Sequence, residues 1–105
     1  MTQVTIIGAG VAGLCIARVL LDRGMRVHLI DRARQPGPQG CSWWAGGMLA
    51  PFCEGESAEE PVIRLVQRAA DWWGQRTTSL HRRGSLVISP ARDSSDLTRF
   101  ARRTT

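Results

Sequence analysis

The sequence predicts an α/β fold in which a parallel sheet is flanked by helices, and three consecutive segments support this prediction. Residues 4–7 form a short β-branched run that ends at a glycine, as expected of a parallel strand buried on both faces. Residues 11–23 place apolar side chains at helical spacing, and Gly24 supplies the stop that commonly ends a helix. Residues 26–31 return to an apolar strand. A strand, a helix and a strand in this order make a unit whose two strands run parallel.

The turn between the first strand and the helix carries the spacing G-x-G-x-x-G at Gly8, Gly10 and Gly13. Such glycines let the chain turn tightly, bring its backbone against a pyrophosphate and pack the helix close to the sheet. The N–H groups of Val11 and Ala12 begin the helix, where the helix dipole favours negative charge. We therefore expect a Rossmann-like dinucleotide site here. The alternative is that the glycines serve only the turn and the packing.

The second strand ends in an acid that is placed to meet a ribose. Asp31 follows Gly13 by 18 positions, near the roughly 20 that are typical of a ribose-binding acid. We expect its carboxylate to accept hydrogen bonds from ribose hydroxyls; the alternative is a solvated strand end. Its charge disfavours the 2′-phosphate of NADP, whereas Arg32 either lies over the adenine or faces water. This unit alone does not separate NAD from FAD.

A second glycine-rich segment, CSWWAGGMLAP, occupies residues 41–51. Taken with the glycine turn and Asp31-Arg32, it resembles the N-terminal part of the FAD-dependent D-amino-acid oxidase family, and most closely the glycine oxidases associated with thiamine biosynthesis. The resemblance runs along essentially the whole chain, and its specific parts are residues 8–13, 31–32 and 45–51. It implies that residues 1–105 are the N-terminal part of an FAD-binding domain, with an incomplete sheet and without the substrate domain.

The resemblance also implies which residues meet FAD. The segment equivalent to Cys41 and Ser42 touches the phosphate side, and the one equivalent to Gly46, Gly47 and Met48 runs beside the isoalloxazine ring through its backbone. Glycines suit that place because a ring approaches closely where no Cβ intervenes. The Ser42 hydroxyl can donate to a phosphate oxygen, and Cys41 replaces the small hydroxyl residue expected beside it. The alternative is a glycine-rich turn that leads into a helix.

The implied chemistry is oxidative deamination of glycine or D-amino acids with O₂, in which the flavin takes a hydride from the substrate carbon. In the resembled oxidases an arginine and usually a tyrosine of the substrate domain bind the small amino-acid substrate. We therefore assign no catalytic residue, expect this truncated chain to be inactive alone, and regard a homo-oligomer as compatible with the complete enzyme. Two alternatives remain open: a fragment of an NAD-dependent dehydrogenase, and a non-enzymatic assembly module that completes another chain's sheet.

Composition argues against several other classes. At 105 residues and 43% hydrophobic content the chain suits one small domain, and no apolar run approaches the roughly 18 residues of a membrane-spanning helix. The first strand begins within a few residues of the N-terminus, which leaves no room for a signal peptide, so we expect a cytoplasmic protein. The net charge of +5 comes from scattered arginines without lysine. Because no stacking aromatics alternate with them, nucleic-acid binding is not expected.

Cysteine and histidine offer no metal site or catalytic triad. Cys15, Cys41 and Cys53 fit neither a metal-ligand spacing nor a disulfide framework, so we expect reduced thiols, with Cys15 in the core. His28 lies on the opposite strand face from its neighbours and is expected to pack under the helix layer or meet solvent. His81 stands beside two arginines, and neither histidine has a nucleophile at a triad spacing.

The remainder of the chain predicts two helices and a strand. Residues 61–73 carry apolar side chains at steps of three and four after a proline, so we expect one helix, with Trp72 as a core anchor rather than a pocket wall. Residues 85–89 predict a short strand. The run Ser94-Ser95-Asp96 is expected to cap a final helix.

Overall fold

The chain divides into two compact units, Met1–Gly47 and Met48–Thr105. A computed structural model describes residues 1–54 and 57–104. Within the described residues, the first unit contains both strands of the sheet, and the second unit consists of helices and irregular segments.

The first unit is a parallel strand–helix–strand motif. Strand β1 spans Gln3–Ile7, helix α1 spans Val11–Asp22 and strand β2 spans Arg26–Ile30. The strands pair in parallel with Val4 opposite Val27, and α1 packs against both. This confirms the predicted fold class, the start of a Rossmann-like domain in which a parallel sheet is flanked by helices.

The helix α1 packs on one face of the sheet through small and apolar side chains. Among the described residues, Ala17 is the one hydrophobic residue that is buried, with 8% of its surface exposed. The helix ends beside Gly24, whose φ of +74° is the left-handed conformation that favours glycine. The Gly24 N–H donates to the Leu21 carbonyl at 2.9 Å, so the expected helix stop is confirmed.

The expectation that the first strand is buried on both faces is wrong for this chain. Side chains on β1 alternate between half-buried and exposed, and Ile7 is 86% exposed. Strands of a parallel sheet are buried on both faces only where helices cover both sides. Among the described elements of the first unit, α1 is the helix that makes substantial contact with the two strands.

The second unit is built from short helices. Helix α2 spans Pro51–Glu54, α3 spans Glu60–Val66, α4 spans Ala69–Gly74 and α5 spans Ser94–Thr104. Helix α2 contacts α3 and α5, and α3 contacts α4. In α4 the rings of Trp72 and Trp73 meet edge to face at 5.1 Å, and the Arg76 guanidinium lies 4.1 Å from the Trp72 ring centroid. The expectation of a core anchor is wrong, because Trp72 is half-buried and α4 has no buried residue; the two contacts are with neighbours along the same segment.

Three further expectations for this unit need correction. The single helix predicted for residues 61–73 is interrupted at Gln67 and Arg68, because apolar spacing continues across a turn that periodicity does not detect. The predicted strand at residues 85–89 has no strand partner among the described residues, and Leu86 is 90% exposed. The expected cap is already helical, because α5 begins at Ser94 after a 3₁₀ turn at Ala91–Asp93.

Candidate functional site

The glycine turn owes its shape to two close backbone approaches. Gly8 has a φ of +105°, and its N–H donates to the Ile30 carbonyl at 2.7 Å, which ties the turn to the end of β2. A Cβ on Gly13 would lie 1.9 Å from the Gly8 carbonyl oxygen, a distance at which a side chain cannot fit. The backbone geometry of the turn therefore requires glycine at positions 8 and 13, whether or not a ligand binds.

Ser42 reaches the N-terminus of α1 from a distant part of the chain. It lies in a 3₁₀ helix at Cys41–Trp44, and its Oγ accepts a hydrogen bond from the Val11 N–H at 3.0 Å. The Oγ also lies 3.3 Å from the point where a Cβ on Gly10 would stand, so the middle glycine makes room for it. One hydroxyl is thus placed among the N–H groups that are expected to meet a pyrophosphate.

Asp31 joins the glycine turn to the loop that follows β2. Its Oδ2 accepts from the Ala9 N–H at 2.7 Å, and its Oδ1 accepts from the Ala33 N–H at 2.9 Å. The Ala9 hydrogen bond, then the Ala33 hydrogen bond, lower the pKa of the Asp31 carboxyl below its ordinary value. Desolvation opposes this shift, and the charge and backbone N–H of Arg32 make smaller contributions that lower the pKa further. The group is ionised at neutral pH.

These elements surround a cleft of about 540 Å³ in the first unit. Its walls include the glycine turn at Gly10, the end of β2 at Asp31, the guanidinium-bearing Arg32 and Arg34, and Ser42. The volume falls in the range of roughly 300–1,000 Å³ that is usual for small-molecule sites. The cleft lies outside the carboxyl ends of the parallel strands, where ligands of open α/β sheets bind.

The structure brings part of the expected site together. Four of the expected contact residues line the cleft, namely Gly10, Asp31, Arg32 and Ser42. Three more contact neighbouring parts of the site: Gly8 hydrogen-bonds to Ile30, Val11 hydrogen-bonds to Ser42, and Gly13 packs against Gly8. Ala12 lies in the first turn of α1. Cys41 is exposed at the start of the 3₁₀ helix, and Gly46 and Gly47, at the end of the first unit, are not among the residues that line the cleft. Met48, 69% exposed, belongs to the second unit.

Sequence reasoning missed three groups at this site. The Ala9 N–H binds Asp31, the Gln39 carbonyl accepts from Arg32 Nη2 at 3.1 Å, and His28 lines the cleft. The strand alternation could have indicated His28, because it shares a face with Ile30 beside the acid. No sequence signal pointed to Gln39, since its contribution is a backbone oxygen.

The described residues show little support for other kinds of site. Within residues 1–54 and 57–104, no three His, Cys, Asp or Glu side chains come close enough to hold a metal ion. Cys15, Cys41 and Cys53 are free thiols. Cys15 is half-buried, as is Cys53, so the expected core position of Cys15 is wrong. No helix in the described part of the chain combines the length and apolar character needed to cross a membrane.

A glycine turn, an acid at the end of β2 and a cleft beyond the parallel strands define the class of protein, the start of a Rossmann-like nucleotide-binding domain. Comparison with known families makes this more specific. Residues 3–105 match the DAO family of FAD-dependent oxidoreductases, and the chain belongs to that family. The family description names FAD as the cofactor.

Curated relatives agree with this assignment. The chain is 52% identical over 103 residues to a putative thiamine biosynthesis oxidoreductase of Rhizobium etli, covering 97% of this chain and 31% of the relative. It is 40% identical over 50 residues to a glycine oxidase of Pseudomonas aeruginosa, covering 48% of this chain and 13% of that enzyme. A tRNA 5-methylaminomethyl-2-thiouridine biosynthesis bifunctional protein of Thiobacillus denitrificans is 40% identical over 68 residues, 65% of this chain and 10% of that protein. No solved structure matches the chain.

Proposed function

We propose that this chain forms the N-terminal part of the FAD-binding domain of a glycine oxidase-like enzyme, and that its first unit binds the adenosine diphosphate portion of FAD. The observation that carries the proposal is the convergence of the glycine turn, Asp31 and Ser42 on one cleft. The chain spans about a third of its Rhizobium etli relative, 31% of that protein. The activity of a whole enzyme is therefore proposed on family grounds.

The residues of the first unit fit the chemistry of this cofactor. The N-terminus of α1 favours a pyrophosphate through its N–H groups and its dipole. Ser42 Oγ accepts from Val11 N–H and keeps its own hydrogen to donate to a phosphate oxygen. A carboxylate offers about four acceptor sites, so Asp31 can accept two ribose hydroxyls beside its two backbone hydrogen bonds. Bound FAD would supply a hydride acceptor that O₂ can reoxidise.

The proposed substrate class is a small amine or amino acid. Relatives described as a glycine oxidase and as a thiamine biosynthesis oxidoreductase support it. We also propose that Gly46, Gly47 and Met48 run beside the flavin ring, because Gly47, with a φ of +67°, allows a conformation that side chains disfavour. No residue of this chain is proposed to act on the substrate.

A fusion protein tests the proposal. This chain replaces the equivalent part of the Rhizobium etli relative, and the purified fusion is examined for its flavin absorption spectrum and for glycine-dependent peroxide formation. We expect one FAD per chain and oxidation of glycine. A fusion that folds, lacks flavin and binds NAD would refute the oxidase assignment and support the dehydrogenase alternative.

Matched serine variants of the fusion test the site itself. Ser42→Ala removes the hydroxyl at the helix N-terminus and is expected to weaken FAD binding. Ser42→Thr keeps a hydroxyl and is expected to retain FAD binding. Ser85→Ala is the control, because Ser85 is exposed in the second unit. Equal FAD affinity in all three variants would show that the Ser42 hydroxyl does not contribute to phosphate binding.

A further inference from the structure

Asp31 does more in this structure than end a strand. Its two carboxylate oxygens accept from the N–H groups of two residues that line the cleft, Ala9 at 2.7 Å in the glycine turn and Ala33 at 2.9 Å in the loop after β2. Ala9 and Asp31 are 22 positions apart in sequence. Both hydrogen bonds are charge-assisted, which makes them shorter and stronger than bonds between neutral groups.

We propose that Asp31 is a positioning residue whose carboxylate bridges Ala9 to Ala33 and thereby fixes the glycine turn before any nucleotide binds. We call this pair of hydrogen bonds the Asp31 bridge. The bridge is a property of the chain without ligand and does not depend on the identity of the nucleotide. Its consequence for binding rests on the proposed dinucleotide function.

The turn needs such an anchor because it is rich in glycine. Gly8 and Gly10 flank Ala9, and glycine loses more conformational freedom on ordering than any other residue. Gly8 is already tied to β2 through the Ile30 carbonyl at 2.7 Å. The Asp31 bridge adds a second tie one residue further along, at Ala9. A turn ordered in advance loses less entropy when it binds a ligand, so its affinity is higher.

The bridge leaves Asp31 able to meet a ligand. Two of the roughly four acceptor sites of a carboxylate accept from the Ala9 and Ala33 N–H groups, and Asp31 lines the cleft, so its other acceptor sites are free to meet a ligand there. A ribose contact would use only these remaining sites. The two roles of Asp31 can therefore be separated with ligands that have or lack a ribose.

The first experiment follows the amide resonances of Ala9 and Ala33 by NMR in the ligand-free chain as the pH is lowered. Other titratable or charged groups at the cleft are His28, Arg32 and Arg34, so His28→Gln is used as the background to remove the histidine titration. We expect both amides to shift together with one midpoint, below the ordinary aspartate value of about 3.9. Two different midpoints, or amides that do not titrate, would overturn the bridge.

Variants make the assignment specific. Asp31→Ala is expected to abolish both amide titrations, and Asp96→Asn, which removes an exposed carboxylate from α5, is expected to leave them intact. Persistence of both titrations in Asp31→Ala contradicts the proposal. If that variant fails to fold, the titration of the His28→Gln chain still decides, because it requires no change at Asp31.

The second experiment separates positioning from ribose contact. Asp31→Asn is titrated with adenosine 5′-diphosphate and with inorganic pyrophosphate, which has no ribose. The bridge predicts a several-fold loss of affinity for both ligands, whereas a ribose contact alone predicts a loss for adenosine 5′-diphosphate only, and that result would refute the positioning role. These titrations use the fusion with the remainder of the Rhizobium etli relative, because the isolated chain is expected to bind weakly. If the unsubstituted fusion binds neither ligand, the proposed function fails, while the amide titrations still decide whether the bridge exists.

Discussion

Gly13 illustrates how one residue serves packing and ligand binding together. The Cβ that any other residue would add lies 1.9 Å from the Gly8 carbonyl oxygen and 3.4 Å from Ile6 Cγ2. Helix α1 therefore approaches the strand end as closely as a backbone allows. The same approach aims the helix N-terminus at the cleft, so the packing requirement and the binding geometry have one cause.

Gly13→Ala should destabilise the first unit. The backbone must shift to relieve the contact with Gly8, and strain of this kind typically costs about 1–3 kcal/mol. Gly40→Ala is the matched control, because a Cβ there meets only the Gly37 carbonyl at 3.7 Å. Urea unfolding followed by circular dichroism measures both. Equal stability of the two variants would show that the turn adapts without strain.

Asp31 makes the stability of the first unit depend on acid pH. Its carboxyl pKa is lowered in the folded chain, chiefly by the Ala9 hydrogen bond. A group with a lowered folded pKa contributes stability above its unfolded pKa of about 3.9 and loses it as the pH falls through the lower folded value.

The free energy of unfolding in urea should therefore be larger for the natural chain than for Asp31→Asn at pH 5–7. This interval lies well above an aspartate pKa of about 3.9. The difference should shrink toward zero as the acid form of Asp31 takes over. Asp96→Asn controls for the loss of a carboxylate elsewhere on the chain. A difference that grows at lower pH would contradict the assigned direction of the pKa.

At the scale of elements, the sequence predicted the first unit closely and the second unit less well. The strands and α1 fall within a residue or so of their expected bounds, because β-branched runs, helical spacing and Gly24 all act locally. Asp31 was expected at the site from spacing, but its bond to Ala9 was not, since side-chain to backbone bonds between distant segments leave no periodic signal. Residues 85–89 were predicted as a strand from a short apolar run between Gly84 and Pro90, yet a strand also needs a partner.

Ile88→Ser should leave the free energy of unfolding within about 0.5 kcal/mol of the natural chain, because surface substitutions away from packed features have small effects. Ile88 is 82% exposed, whereas Val87 beside it is 38% exposed. Val87→Ser is the comparison, and it should lower the free energy of unfolding by more than Ile88→Ser does. Urea unfolding measures both variants. An equal or larger loss for Ile88→Ser would mean that its side chain packs in solution.

The described residues of the chain bury few of their large hydrophobic side chains. Ala17 is the buried hydrophobic residue of the described part, and Ile7, Leu86 and Ile88 are each more than 80% exposed, at 86%, 90% and 82%. Small domains bury a small fraction of their surface and are marginally stable, and unpaired strand edges favour association. The chain corresponds to 31% of its Rhizobium etli relative.

The isolated chain is therefore expected to bind FAD weakly and to show no turnover with glycine. Purification under native conditions, followed by the flavin absorption spectrum and a peroxide assay, measures both properties. The fusion with the remainder of the Rhizobium etli relative is the positive control. A yellow isolated chain with stoichiometric flavin would contradict this expectation and would mean that the first unit suffices for tight binding.

The hydroxyl of Ser42 and the carboxylate of Asp31 reach back to N–H groups at Val11 and Ala9, and all four residues lie within Met1–Gly47. The whole set of contacts thus lies in one short continuous stretch of the chain. Such a stretch is portable: duplication or recombination could graft it in one step ahead of unrelated catalytic modules. Divergent enzymes could then inherit the same hydrogen-bonded glycine turn while each acquires its own substrate chemistry elsewhere.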